Sequence, residues 1–486
     1  MNGALTFWSM LPEHLLLLGI VTMLFAEIFG RASKWALPLA VLCVAAASGV
    51  AAWMYVTGFS GTPFPGQFSV VPSTALAKSI VLGLTVPVLL MSRDEFRGGE
   101  LSALLLSSLY GVCLLISADS FLTMFLGLEL MSLPVYALVV LAYQRHESAE
   151  AALKYLVLGG AATAMFLMGV SLLYGGSGST GIGAFVNALS ANDIMSRAAV
   201  VLIVLAFFVK GAVVPFHGWA PDAYEGASVT VTAYMATIIK AGVLLAIVRL
   251  FGDAALSPVM AGLIAVLPLA SIIWGNLAAM KQQSFRRMIA YSSIAHAGYL
   301  FYALLGAGEG RMQAVLFYLL TYGILNILAF AALPKAAADV DRDSMNSLKG
   351  LYQRDPFAAI VIGIAMFSLA GFPPFPGFVA KFLIFKNVLA AGYTTYAVIG
   401  LVGSYIGIYF YLRVIQFMFM TPSVEVTTSS VQQYALHDAA LIDARSSGAV
   451  VVSTANTDAF SRTAAVLSLA VTVVLMFFPG WALALL

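Results

Sequence analysis

Five ionisable residues stand inside long apolar stretches of a chain in which only 9% of residues are Asp, Glu, Lys or Arg. They are Glu129, Lys154, Lys210, Lys240 and Lys381, and His296 stands beside them. An ionisable group at bilayer depth costs at least ~3 kcal/mol on insertion scales, and such groups mark ion or proton routes. Amines, a carboxylate and an imidazole are side chains that take up and release protons. The set reads as a proton pathway.

Glu129 stands mid-stretch in FLGLELMSLPVY, with Pro134 five residues on. At ~4 Å and an effective dielectric near 20, a lysine attracts it by about 4 kcal/mol, so moving that partner by a few ångströms changes which group holds the proton. Lys210 and Lys154 are the candidate partners; the plainer alternative is a static buried ion pair that fixes packing. Lys154 is early in its stretch and can equally snorkel to the surface. Lys240, in MATIIKAGVLLA, is too central to snorkel easily and is expected to carry protons. Lys381 follows a proline-rich segment. His296, in SSIAHAGYLFYA, has Ser292, Ser293 and Tyr299 for neighbours, which favours a relay over a satisfied core histidine. Glu27 and Arg31 have the i, i+4 spacing of a helix-end ion pair, and Arg249 and Asp253 read as interfacial.

The elements that must hold these groups are membrane helices. The 486 residues are 61% hydrophobic, with a mean hydropathy of +0.97, against about half apolar and a quarter charged in soluble domains. This predicts an all-α polytopic membrane protein of about fourteen transmembrane helices. The expected spans are 12–30, 35–57, 75–92, 100–117, 120–143, 151–175, 197–219, 228–250, 256–280, 287–307, 311–334, 357–390, 395–420 and 462–486. The stretch 357–390 is long for one straight helix. A net charge of +2 gives no reason to expect a nucleic-acid partner. Cys43 and Cys113 lack metal-ligand spacing. MNGALTFWSMLPEH has no basic n-region, so the first span is expected to direct insertion.

Basic residues set the orientation. Arg31, Lys34, Arg93, Arg97, Arg145, Lys281, Arg286, Arg287, Lys335, Arg342, Lys349, Arg354, Arg413 and Arg445 fall in odd-numbered connections. Even-numbered ones hold little beyond Arg197, Arg249, Arg311 and Lys386, so the odd loops are expected inside and both termini outside. The connection 220–227, with Asp222 and Glu225, dissents.

Two spans are interrupted. FFVKGAVVPFHGWAPDAYEGA holds Lys210, Pro215, His217 and Pro221; SLAGFPPFPGFVAKFLIF holds Pro373, Pro374, Pro376 and Lys381. Proline frees helical carbonyls, and irregular backbone at membrane depth needs protein or water to satisfy it. His217 is placed either to cap such carbonyls or to relay. The breaks are five spans apart, which predicts two inverted five-helix repeats, each with a broken helix, a known pointer to a transport site. The expected organisation is helices 1–3 over 1–99, one repeat over 100–250, a second over 251–420, a polar loop over 421–461 and a last helix over 462–486. The bland alternative is that prolines merely kink these helices.

The segments GLELMSLPVY, EAALKYLVLG, VKGAVVPFHGWAPDAYEGA, IKAGVLL, RRMIAYSSIAHAGYL and LAGFPPFPGFVAKF resemble the antiporter-like subunits of respiratory complex I, the proton-pumping NADH:quinone oxidoreductase. That family is related to Mrp-type cation/proton antiporters. The resemblance covers nearly the whole chain and is strongest to the bacterial subunit N branch, the relatives of mitochondrial subunit 2. The chain stops soon after its last span, and lysine rather than glutamate follows the second break. The resemblance implies that Glu129 and Lys210 form the family's Glu–Lys pair, that Lys240 is its central lysine and Lys381 its terminal carrier, and that Lys154 and His296 belong to the same polar axis. It implies no cofactor on this chain, with NADH, FMN, iron–sulfur clusters and quinone held by other subunits. The implied partners are antiporter-like subunit M, the small membrane subunits A, J, K and H, and the lipid of a bacterial inner membrane. Two rival readings are a subunit of a Mrp-type sodium/proton antiporter and a structural membrane subunit that conducts nothing.

Overall fold

The structure is a computed structural model of the 486-residue chain. It describes residues 3–29, 32–94, 99–142, 147–191, 193–252, 254, 256–306, 308–334, 344–421 and 459–486. Arg31, Arg97, Arg145, Asp253, Lys335, Arg342, Arg445 and nearly all of the polar stretch 421–461 lie outside the described residues.

Runs of about twenty apolar residues, which alone can satisfy their backbone inside a bilayer as helix, dictate the architecture. After a short helix, Gly3–Ser9, come α1 (Leu11–Ile28), α2 (Ala32–Val56) and α3 (Pro72–Met91). Then come α4 (Glu100–Ile116), α5 (Phe121–Val140), α6 (Glu147–Ser177) and α7 (Ile194–Lys210). The middle is α8 (Trp219–Gly226), α9 (Val229–Phe251), α10 (Pro258–Ala279), α11 (Phe285–Tyr302) and α12 (Glu309–Ala331). The rest is α13 (Pro356–Ala370), α14 (Pro376–Ala390), α15 (Thr394–Met420) and α16 (Ala459–Phe477). Among the described residues eleven helices are long and apolar enough to cross a membrane, or twelve if the bent pair Gly183–Leu189 and Ile194–Lys210 is one span. The helices α4 and α13 are apolar but shorter.

Side-chain caps start several of these helices. Ser120, Asp193, Ser228, Ser257, Ser284 and Asp355 each accept from a backbone N–H three residues on, satisfying a donor that the first turn leaves free. Helices α9, α11 and α12 form the centre and are almost wholly buried. Outer helices keep large apolar side chains exposed, such as Leu18, Trp35, Val402, Tyr405 and Val466, as expected of faces that meet lipid.

Several details depart from the sequence reading. The stretch 357–390 is two helices, α13 and α14, parted at 371–375. Between α2 and α3, two short strands, Gly61–Phe64 and Phe68–Val70, pair as an antiparallel hairpin that helical periodicity does not reveal. Arg286 is not a loop residue: it is buried in the first turn of α11 and donates to the Ala227 carbonyl. Arg413 lies inside α15 and donates to the Met280 carbonyl at 2.9 Å.

Candidate functional site

Each interrupted segment ends a helix near a lysine. Helix α7 stops at Lys210, and the chain turns through Gly211 and Ala212, the latter at φ 59°, before α8 resumes at Trp219. The freed Val209 carbonyl accepts from Trp219 Nε1 at 2.9 Å, and the Val214 N–H donates to Ser271 Oγ at 2.8 Å. Pro215 lies within this break. Pro221 does not: it sits in the first turn of α8. His217 Nε2 accepts from Trp274 Nε1 at 2.9 Å.

The second break turns at Gly371 (φ 88°), holds Pro373 and Pro374, and closes at Pro376, the first residue of α14, where proline's missing N–H is harmless. A Cβ on Gly377 would lie 1.8 Å from the Ser368 carbonyl oxygen, so only glycine lets the two half-helices approach. Lys381 reaches back across the break, donating to the Ala370 carbonyl at 3.1 Å and to Ser404 Oγ at 3.3 Å, with its ammonium 5.2 Å from the Tyr299 ring centre.

The first break carries the carboxylate–amine pair. Glu129 Oε1 lies 3.7 Å from Lys210 Nζ. Glu129 also accepts from Thr163 Oγ1 at 2.5 Å, while Lys210 donates to Ser132 Oγ at 3.0 Å and Tyr136 OH at 3.4 Å. The carboxylate side chain is 24% exposed and the lysine 5%, so the pair has one open side. Beside it is a cavity of ~10 Å³, room for about one water, lined by Leu128, Ala162, Thr163, Phe166, Ala206, Phe207 and Lys210.

Lys154 is placed elsewhere. It lies between Glu150 (2.8 Å) and Asp222 (2.7 Å), with Arg287 bridging Asp222 and Glu225 at 2.8 Å each. Of the two lysines considered for Glu129, the structure brings Lys210 to it and puts Lys154 in a half-exposed surface cluster.

Lys240 follows a turn of π-helix, Met235–Ile239, inside α9. Such turns cluster at functional sites, and nothing in the local sequence marks this one. The ammonium donates to the Ser293 carbonyl at 2.5 Å and to Ser293 Oγ, and lies 5.7 Å from the Tyr322 ring centre. Tyr224 OH is 3.2 Å from the same Ser293 hydroxyl.

His296 is enclosed by tyrosines. Its Nδ1 is 2.7 Å from Tyr318 OH and its Nε2 3.2 Å from Tyr411 OH, which in turn lies 2.5 Å from Ser292 Oγ. The two serines that drew attention to His296 therefore serve different partners: Ser293 holds Lys240 and Ser292 holds Tyr411.

One ionisable pair escaped the sequence reading. Lys78 Nζ lies 2.5 Å from Glu13 Oε1, with both side chains almost fully buried, and the ammonium sits 4.8 Å from the Phe68 ring centre. The signal was present: a glutamate two residues into α1, in SMLPEHLLLL, and a lysine two turns into α3, in PSTALAKSIV. Arg249 also does more than face an interface, since it binds Asp119, Ser69 Oγ (2.7 Å) and the Ile116 carbonyl (2.6 Å) and ties the hairpin to the start of α5. Cys43 and Cys113 are buried free thiols, and no metal-holding cluster occurs among the described residues.

The chain is thus a nearly all-helical membrane bundle with a buried lysine at each of two helix interruptions. Residues 118–407 match the family model described as NADH:quinone oxidoreductase/Mrp antiporter, TM. A chain of respiratory complex I from Thermus thermophilus superposes with a TM-score of 0.81 at 30% identity, covering 97% of this chain and 98% of that one. A chain of the Mrp complex from Dietzia sp. DQ12-45-1b has the same fold, with a TM-score of 0.80 at 22% identity over 98% and 96% of the two chains. The NADH-quinone oxidoreductase subunit N of Pelobacter propionicus is 37% identical over 419 residues, 86% of this chain and 90% of the relative. That of Chloroflexus aggregans is 39% identical over 401 residues, 78% and 80% of the two chains. The chain belongs to the NADH-quinone oxidoreductase subunit N family.

Proposed function

We propose that this chain translocates protons within an NADH:quinone oxidoreductase, coupling quinone reduction in other subunits to proton transfer along Glu129, Lys210, Lys240, His296 and Lys381. One observation carries the reading. Three amines and an imidazole are buried on central or broken helices, and each is hydrogen-bonded to a hydroxyl. Among the described residues Lys210 has a carboxylate at ion-pair distance, whereas Lys240 and Lys381 have none. A static scaffold gains little from burying amines without counter-ions, because taking a charge out of water costs several kcal/mol. A carrier needs groups that can exist with and without the proton.

In this account a change from a neighbouring subunit alters the 3.7 Å separation of Glu129 and Lys210. The altered field moves a proton between Lys210 and Lys240, and His296 passes the change on towards Lys381. Hydrated breaks connect the ends of this line to the two membrane faces. Lys154 stays with the surface cluster. The same reading takes α4, the broken α7–α8 and the broken α13–α14 as spans beside the eleven long helices. That gives fourteen spans, two inverted five-helix repeats, and both termini on the outer side of a bacterial inner membrane. NADH, FMN, iron–sulfur clusters and quinone would be bound by other subunits, and subunit M with the small subunits A, J, K and H would be its membrane neighbours.

The test is to tag the chain, purify it in mild detergent and assay NADH oxidation with a quinone acceptor. Activity that a quinone-site blocker abolishes, in a multisubunit particle, supports the reading. A clean particle that lacks the activity and exchanges sodium for protons in vesicles overturns it in favour of an antiporter.

A further inference from the structure

All three lysines of the line end on a serine hydroxyl that comes from a different helix. Lys210 donates to Ser132 of α5 at 3.0 Å, Lys240 to Ser293 of α11, and Lys381 to Ser404 of α15 at 3.3 Å. The serines are themselves buried.

An ammonium has three donors and no acceptor, whereas a neutral amine has a lone pair that needs a donor. A carbonyl can only accept, so the Ala370 carbonyl beside Lys381 and the Ser293 carbonyl beside Lys240 cannot serve that lone pair. A hydroxyl can do both by rotating about its C–O bond. The alternative position for its hydrogen is visible at two sites. Ser132 Oγ is placed to donate to the Leu128 carbonyl at 2.7 Å while accepting from Lys210. Ser293 Oγ has Tyr224 OH at 3.2 Å. When the lysine gives up its proton, the hydroxyl hydrogen swings from that resting partner to the amine nitrogen.

We propose that Ser132, Ser293 and Ser404 are positioning residues of the proton route, each keeping its lysine hydrogen-bonded both with and without the proton. The inference rests on the proton-transfer reading above. A serine that merely filled space would be replaced by alanine without consequence, whereas loss of the hydroxyl takes the nearest donor from a buried neutral amine; at Lys210 the Tyr136 hydroxyl stands farther off, at 3.4 Å against 3.0 Å for Ser132. A penalty of that kind corresponds to about a tenfold slower transfer.

The experiment compares Ser→Ala and Ser→Thr at each of the three positions in the intact membrane complex. NADH-driven proton uptake into inverted vesicles is divided by the amount of assembled complex on a native gel. The expected result is about a tenfold loss per complex for S132A, S293A and S404A, with threonine restoring at least half. Wild-type uptake per complex in all three alanine variants overturns the proposal. So does a failure of threonine to restore any assembled variant, or a loss confined to assembly in all three. A K240A control separates the two claims: normal uptake in K240A defeats the proton route itself, while loss in K240A with normal uptake in the serine variants defeats the hydroxyl inference alone.

Discussion

Shortening Glu129 by one methylene, as Glu129→Asp, changes a distance that the structure fixes. At 3.7 Å and an effective dielectric near 20, Glu129 and Lys210 attract by about 4.5 kcal/mol. Withdrawing the carboxylate by about 1.5 Å, one C–C bond, leaves about 3.2 kcal/mol. The carboxylate is 24% exposed, so water screens part of the difference; about 1 kcal/mol remains, or roughly fivefold in a controlled rate. Glu129→Gln keeps the shape and the acceptor for Thr163 but removes the charge, and at least about 2 kcal/mol goes with it, roughly thirtyfold. The assay is NADH-driven quenching of a pH-sensitive dye in inverted vesicles, per assembled complex. The expected order is wild type, then Asp slowed about fivefold, then Gln slowed at least thirtyfold. Equal rates for Asp and Gln would refute the argument from distance. Loss of assembly with full rate in the surviving complex would make the pair a packing device.

Further outcomes follow from the same geometry. Lys154→Gln should keep at least half of wild-type uptake, since water screens a half-exposed ion pair and leaves it little energy; complete loss would put Lys154 in the transfer line. Lys78→Met or Glu13→Gln alone should lower the thermal stability of the purified subunit by the equivalent of about 3–5 kcal/mol, whereas Glu13→Leu with Lys78→Met should be close to neutral. Gly377→Ala should prevent assembly, read as loss of the complex on a native gel, because its Cβ would fall 1.8 Å from the Ser368 oxygen.

Much of this molecule was legible because a bilayer forces helices and makes each ionisable residue within them conspicuous. That is why Lys210, Lys240, Lys381 and Glu129 stood out, and why the Pro/Gly clusters marked both interruptions. What stayed hidden depends on contacts remote in sequence. Lys154 is followed by an apolar run much as Lys240 is; Glu150, four residues before it, hinted at a helix-end pair, but Asp222, 68 residues away, completes the surface cluster and is not legible from spacing. Lys78 and Glu13 lie 65 residues apart and near helix starts, where a charge reads as interfacial until the partner is seen. The π turn before Lys240 and the serine beside each lysine have no signature in spacing. Pro221 and Pro376 looked like parts of the breaks, yet both open helices, since proline is as suited to a first turn as to an interruption.

The proton route stands or falls at Lys240, on the wholly buried helix α9, between the two breaks in sequence. The purified complex carrying Lys240→Ala would be reconstituted in liposomes, and protons moved per NADH oxidised would be measured against wild type. The expected result is an assembled complex whose proton yield falls well below the wild-type ratio. An unchanged ratio at an unchanged rate would remove Lys240 from the route.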